Sequence, residues 1–257
     1  MTKENMVADA EVFLKTLVNG GTGTGKTYYA LTHPKVAYLG TEPGGLDTAK
    51  ANPHLAKNIV WSEEFIPSPM EDIKSVFDRM DKAIKKAHEG FESGEIKTLA
   101  LDNITYLTEN RWMYINKYEP VHSPKTGQLD TRGMYGSLGR WLYQFTLTSL
   151  LSFKGNVVVT AHEMTEADET MEKKPHLDSP IVPNILGGFR EKIGGMFSAC
   201  LFLDKVKKVT GGYTYKVRCQ KGDNREAKNR YGLPEIIEDV SYAKIVETLN
   251  KIKGDGK

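Results

Sequence analysis

The octapeptide Gly20-Gly21-Thr22-Gly23-Thr24-Gly25-Lys26-Thr27 stands between an apolar run, Leu14-Lys15-Thr16-Leu17-Val18, and a helix-like run, Tyr28-Tyr29-Ala30-Leu31. It fits G-x-x-x-x-G-K-[ST] without substitution, in the strand-to-helix setting that a phosphate-binding loop requires. Glycines let the backbone turn tightly and bring successive N–H groups onto a β-phosphate, while the following helix aims its positive end at the same anion. Lys26 can then reach the β- and γ-phosphates. Thr27 offers a hydroxyl to Mg2+, which stays largely hydrated and takes few protein ligands. A glycine-rich surface turn could match by chance, but the flanking runs agree with the loop. The residues from Gly20 to Thr27, with Tyr28 behind them, are therefore expected to bind a nucleoside triphosphate, taken as ATP, with Mg2+.

The chain has 257 residues, which suits one α/β domain with a full core and no need of covalent staples. Its core is expected over about 14–203 and a C-terminal hairpin and helix over about 204–253. Cys200 and Cys219 are too few and too far apart for a disulfide framework or a zinc knuckle and read as reduced thiols of a cytoplasmic protein. No apolar run approaches membrane-spanning length, and Met1 to Glu11 lacks the pattern of a signal peptide. The net charge of +2 is uninformative, but its distribution is not. Between Asp204 and Arg230, nine Lys and Arg residues face only Asp204, Asp223 and Glu226, which makes a basic arm.

Apolar runs place short strands at Val36–Leu39, Thr98–Asp102 and Asn156–Ala161, the last closing on His162-Glu163. Helical periodicity marks Met70 to Ala87 and Tyr135 to Leu151. Alternation of strands and helices implies a mostly parallel sheet flanked by helices, with ligands gathered at the carboxyl ends of the strands. Two stretches, Glu119 to Gly133 and Met164 to Gly188, interrupt the pattern and are expected to be mobile loops. A helix around Phe189 to Phe197, a hairpin turning at Gly211-Gly212 and a last helix from Ser241 to Lys253 complete the reading.

Asp102, delivered by an apolar strand, has the features of a Walker B acid that orients Mg2+. The next residue is Asn103, which cannot take a proton from water, so another carboxylate must. Glu42, two residues past Gly40 in the turn-rich tip of a neighbouring strand, is the candidate base, against a solvated turn residue as the plain alternative. His162 is expected to touch the γ-phosphate, with Glu163 as its rival.

The ordered set of loop, Glu at the next strand tip, Asp closing Walker B and polar sensor resembles the RecA-type recombination ATPases. Thr-Glu-Pro-Gly-Gly, Leu-Asp-Asn and Thr-Ala-His-Glu are most similar to the small phage-encoded, AAA-type nucleotide-binding proteins of the Sak single-strand-annealing group. Lys228-Asn229-Arg230-Tyr231-Gly232 resembles the K-N-R-F-G motif of RadA, with Tyr for Phe. The resemblance implies a RecA-like P-loop fold and ATP hydrolysis in a homo-oligomer, ring or filament. It also implies a trans-acting role for Lys228 and Arg230 at a neighbour's γ-phosphate, and single-stranded DNA as partner. It further implies host cytoplasm as the location and the two interrupting stretches as DNA-facing loops. The second of those carries Glu166, Asp168, Glu169, Glu172 and Asp178 against Lys173 and Lys174, a poor match to phosphates. A hexameric helicase-type motor and a nucleotide-gated scaffold for a single-strand-binding protein therefore stand beside the recombination reading.

Overall fold

The structure, a computed structural model, describes residues 13–165, 179–209 and 211–255. Its elements in chain order begin with β1 (Lys15–Gly20), α1 (Lys26–Leu31), β2 (Val36–Gly40), α2 (Asp47–Ala51), α3 (Pro53–Ala56) and β3 (Ile59–Glu64). Next come α4 (Ile73–Glu92), β4 (Thr98–Asp102), α5 (Ile104–Tyr118), α6 (Thr131–Phe145), β5 (Asn156–Thr165) and β6 (Ile181–Pro183). The chain closes with α7 (Arg190–Met196), β7 (Ala199–Lys207), β8 (Tyr213–Arg218), β9 (Lys228–Asn229), β10 (Ile236–Glu238) and α8 (Tyr242–Asp255).

The strands β7-β1-β5-β4-β2-β3 run parallel in that order, so β5 lies between the loop strand β1 and the acid strand β4. Strand side chains alternate between faces, and here the alternation splits the core. Leu17, Leu39, Leu99, Leu101, Val157 and Val159 face α4, α5 and α6. Val18, Tyr38, Ala100, Val158 and Leu201 face the side of α1 and α8. Both faces being covered, the strands read as continuous apolar runs. The C-terminal part joins the same sheet, β8 antiparallel to β7 and β10 antiparallel to β8. The expected architecture is present, a mostly parallel, helix-flanked sheet with a C-terminal hairpin.

Several expectations need correction. The strand read as ending at Ala161 continues to Thr165, because β6 pairs antiparallel with Glu163 to Thr165. The helix read from Tyr135 starts at Thr131, where the Asp130 carboxylate caps the Gly133 N–H, and its last turns, Thr146–Leu151, are π-helical. The stretch from Glu119 is closed by backbone bonds, Ser123 N–H to Gln128 O at 2.8 Å and Asp130 N–H to Val121 O at 2.7 Å. The acidic part of the second stretch, 166–178, lies outside the described residues. Helix α5, not among the expected elements, lacks a clear apolar period because its inward side carries Thr108, Asn110 and Arg111, all buried.

Candidate active site

The loop leaves β1 at Gly20 and enters α1 at Lys26, with Gly23 and Gly25 at φ of +76° and +90°, backbone that favours glycine. Buried Lys26 turns its Nζ back on the loop and donates to Gly20 O at 2.9 Å and Gly21 O at 2.8 Å. Burial lowers its pKa, against the pull of Glu42, Asp102 and Glu163.

Asp102 ends β4 fully buried beneath the loop. Its Oδ2 accepts from Thr27 Oγ1 at 2.6 Å and from the Tyr38 phenol at 2.8 Å, and its Oδ1 accepts from Thr160 Oγ1. Burial, then the Asp102 carboxylate, push the Tyr38 phenol up, which keeps it a donor.

The ends of β2 and β4 are laced together. Thr41 N–H donates to Asp102 O at 2.7 Å, Asn103 N–H donates to Thr41 Oγ1 at 2.9 Å, and Thr41 Oγ1 donates to Asn103 O. This lacing brings Glu42 beside Asn103, whose Nδ2 donates to Glu42 Oε2 at 2.5 Å. The Asn103 Oδ1 caps α5 by accepting from Tyr106 N–H at 3.1 Å. On the other side His162 Nε2 lies 3.4 Å from Glu42 Oε1, and His162 Nδ1 lies 3.4 Å from Lys26 Nζ. The His162 hydrogen bond holds the Glu42 carboxyl below its usual range against burial, with Lys26 and Asn103 adding to the effect.

Strand alternation also separates His162 from Glu163. His162 turns to Glu42 and Lys26, whereas Glu163 takes the Arg225 guanidinium at 3.3 Å. Arg225 bridges on to Asp204 at 2.9 Å.

Above these groups opens a cleft of about 810 Å3, whose lining includes Thr22, Lys26, Tyr28, Glu42, His162 and Tyr215. Its size and mixed lining suit a nucleotide.

Residues 13–231 match the profile of a family described as "AAA domain". The chain belongs to this AAA domain family. No curated protein matches it. Among solved structures, a KaiC-like protein from the hyperthermophilic archaeon Pyrococcus horikoshii is similar at 14% identity and a TM-score of 0.38, over 84% of this chain and 81% of that one.

As an AAA domain the chain is a nucleotide-binding P-loop NTPase. Its loop, Glu42, Asp102 and His162 converge at one end of the sheet, while Lys228 and Arg230 do not join them. Arg230 N–H bonds Ser198 O, and Ser198 N–H bonds Lys15 O, which sets Arg230 level with the start of β1. That is on the order of 15 Å from Gly20 along the strand. Lys228 Nζ and Arg230 Nη2 both donate to Gly195 O, at 3.0 and 3.3 Å. Tyr231 of the same motif accepts from Lys15 N–H through its hydroxyl at 3.0 Å, at the far end of β1. Trp112 and Tyr135 stack on each other with centroids 4.4 Å apart. Sequence reasoning missed Tyr38, Thr160, Tyr215 and Arg225. No local pattern marks them, since each matters only through a partner distant in the chain.

Most cations of the C-terminal arm are engaged. Among the described residues five of the nine form ion pairs: Arg218 with Asp223 and Glu235, Lys216 with Glu238, Lys221 with Glu226, Lys208 with Asp239, and Arg225 with Glu163 and Asp204. Cys200 and Cys219 are free and buried, and burial pushes both thiols up to about 12. Among the described residues no helix is long and apolar enough to cross a membrane.

Proposed function

We propose that this AAA domain binds ATP with Mg2+ and hydrolyses it to ADP and phosphate, acting as a homo-oligomer in DNA recombination or single-strand annealing. The observation that carries the chemistry is the Glu42 carboxylate held between Asn103 and His162 beside Lys26. Lys26 leaves its loop carbonyls to bind the β- and γ-phosphates. Glu42, kept ionised, takes a proton from the attacking water, and His162 hydrogen-bonds the γ-phosphate.

The donor set fits Mg2+: the Thr27 hydroxyl and the Asp102 carboxylate are hard oxygen ligands 2.6 Å apart. When bound, Mg2+ would neutralise charge on the β- and γ-phosphate oxygens. Lys228 and Arg230, remote from their own loop, are read as the pair that completes a neighbour's site, whether in a ring or a filament.

The choice of single-stranded DNA, and of a phage source, rests on the motif resemblance alone. A second reading, a nucleotide-gated scaffold that reaches DNA through a single-strand-binding protein, is favoured by the internal pairing of the basic arm. One experiment separates them: ATP turnover against protein concentration, with and without single-stranded DNA, beside Lys228→Ala and Arg230→Ala. A concentration-dependent, DNA-stimulated rate lost in both variants supports the oligomeric motor. A low, flat rate untouched by DNA or by either change supports the scaffold.

A further inference from the structure

Tyr28, in the first turn of α1, and Tyr215, on β8, come from opposite ends of the chain. Their rings nonetheless stack, with centroids 5.9 Å apart and an interplanar angle of 21°. Both are half-buried and both line the cleft above the loop. The Tyr215 ring approaches the loop so closely that a Cβ on Gly25 would lie 2.8 Å from it. Neither ring serves the hydrolytic chemistry described above. The phosphates are fixed at Gly20 to Thr27, so ribose and base must extend from the loop into the rest of the cleft. Beyond the loop and the catalytic groups, the lining includes the tyrosine pair, the Asp239-Val240-Ser241 segment and residues between Pro43 and Asn52, and among these only the tyrosines offer aromatic rings.

We infer that Tyr28 and Tyr215 form the aromatic wall on which the nucleobase stacks, an assignment that rests on the nucleotide-binding reading above. The two rings pack together and leave no slot between them, so the base lies on the cleft-facing side of the pair. Any base offers a π-face to such a wall, and alanine substitution of a stacking aromatic lowers affinity by roughly 5- to 100-fold. The C-terminal hairpin is thereby part of the nucleotide site, joined to α1 through the base while the phosphates remain on the loop.

The test compares binding of Mg·ATP with binding of inorganic tripolyphosphate, which has no base, by calorimetry. Wild type, Tyr215→Ala, Tyr215→Phe, Tyr28→Ala and Lys26→Ala are measured, each checked for folding by circular dichroism. The expected result is a roughly 5- to 100-fold loss of ATP affinity in Tyr215→Ala and Tyr28→Ala, with tripolyphosphate affinity and the Tyr215→Phe variant within about twofold of wild type. Equal loss for both ligands would mean that the hairpin only props the loop, and no loss for either would mean that the base lies elsewhere; each overturns the inference while leaving nucleotide binding intact. Should wild type bind neither ligand and Lys26→Ala make no difference, the nucleotide-binding reading itself fails and takes this wall with it. If Tyr215→Ala does not fold, Tyr28→Ala decides the matter alone.

Discussion

The amide of Asn103 holds the carboxylate of Glu42 through an Nδ2 to Oε2 hydrogen bond of 2.5 Å. The residue that follows the buried acid thus anchors the candidate base on the next strand and does no proton chemistry of its own. Glu42→Gln keeps the volume and the Asn103 contact but cannot accept a proton. It is expected to lower turnover by about two to four orders of magnitude with ATP affinity little changed. Single-turnover hydrolysis beside equilibrium binding checks this, and a kcat within tenfold of wild type would remove Glu42 from the role of base.

Asn103→Asp places a second carboxylate against Glu42 while still able to cap α5. A like charge disfavours ionisation, so the Glu42 pKa rises and the base becomes protonated at a higher pH. The acid limb of the pH–rate profile should therefore move upward, and turnover at neutral pH should fall. An acid limb that stays put would show that Glu42 does not govern it.

Gly25 combines φ of +90° with the Tyr215 ring 2.8 Å from where a Cβ would stand. Gly25→Ala is expected to cost about 1–3 kcal/mol from backbone strain alone, before the ring is displaced. Denaturant titration gives the stability, and Gly23→Ala, with nothing within 4 Å of its Cβ position, isolates the contact from the shared positive φ.

Arg225 ties Glu163 on β5 to Asp204 on β7, with its side chain 13% exposed. Arg225→Met leaves two carboxylates facing each other without a cation. Because Asp204 is 38% exposed, solvent screens part of the loss, and a destabilisation of about 1–2 kcal/mol is expected, between the ranges for exposed and buried pairs. A double-mutant cycle with Asp204→Asn measures the coupling; a value near zero would show the bridge to be inert.

His33 is fully buried, its Nδ1 3.2 Å from Tyr29 O, and among the described residues its Nε2 has no partner. Burial pushes its pKa down from 6.5 to about 4, against the backbone bonds of Tyr29 and Ala30. Between these values the unfolded chain takes up a proton that the folded chain refuses, so stability is lost as pH falls from about 6.5 to about 4. The total is about 3 kcal/mol. His33→Phe should flatten that part of the stability curve, as followed by chemical denaturation at a series of pH values.

What the sequence determined by itself was whatever short-range pattern encodes. The glycine-lysine-threonine spelling of the loop needs only local backbone freedom and one charge to declare phosphate binding. The apolar runs of β1, β2, β4 and β5 declare a sheet covered on both faces because burial on both sides demands continuous hydrophobicity. Tertiary structure alone decided which polar groups meet. It set Glu42 against Asn103 through strand-end lacing, put His162 against Glu42 and Lys26 and Glu163 against Arg225, and filled the Asp102 carboxylate with hydroxyls from three other elements. It also drew most of the basic arm into ion pairs and carried Tyr215 onto the loop. These outcomes depend on strand order and register, where a one-residue shift reverses every side chain, and no window of neighbouring residues contains that information.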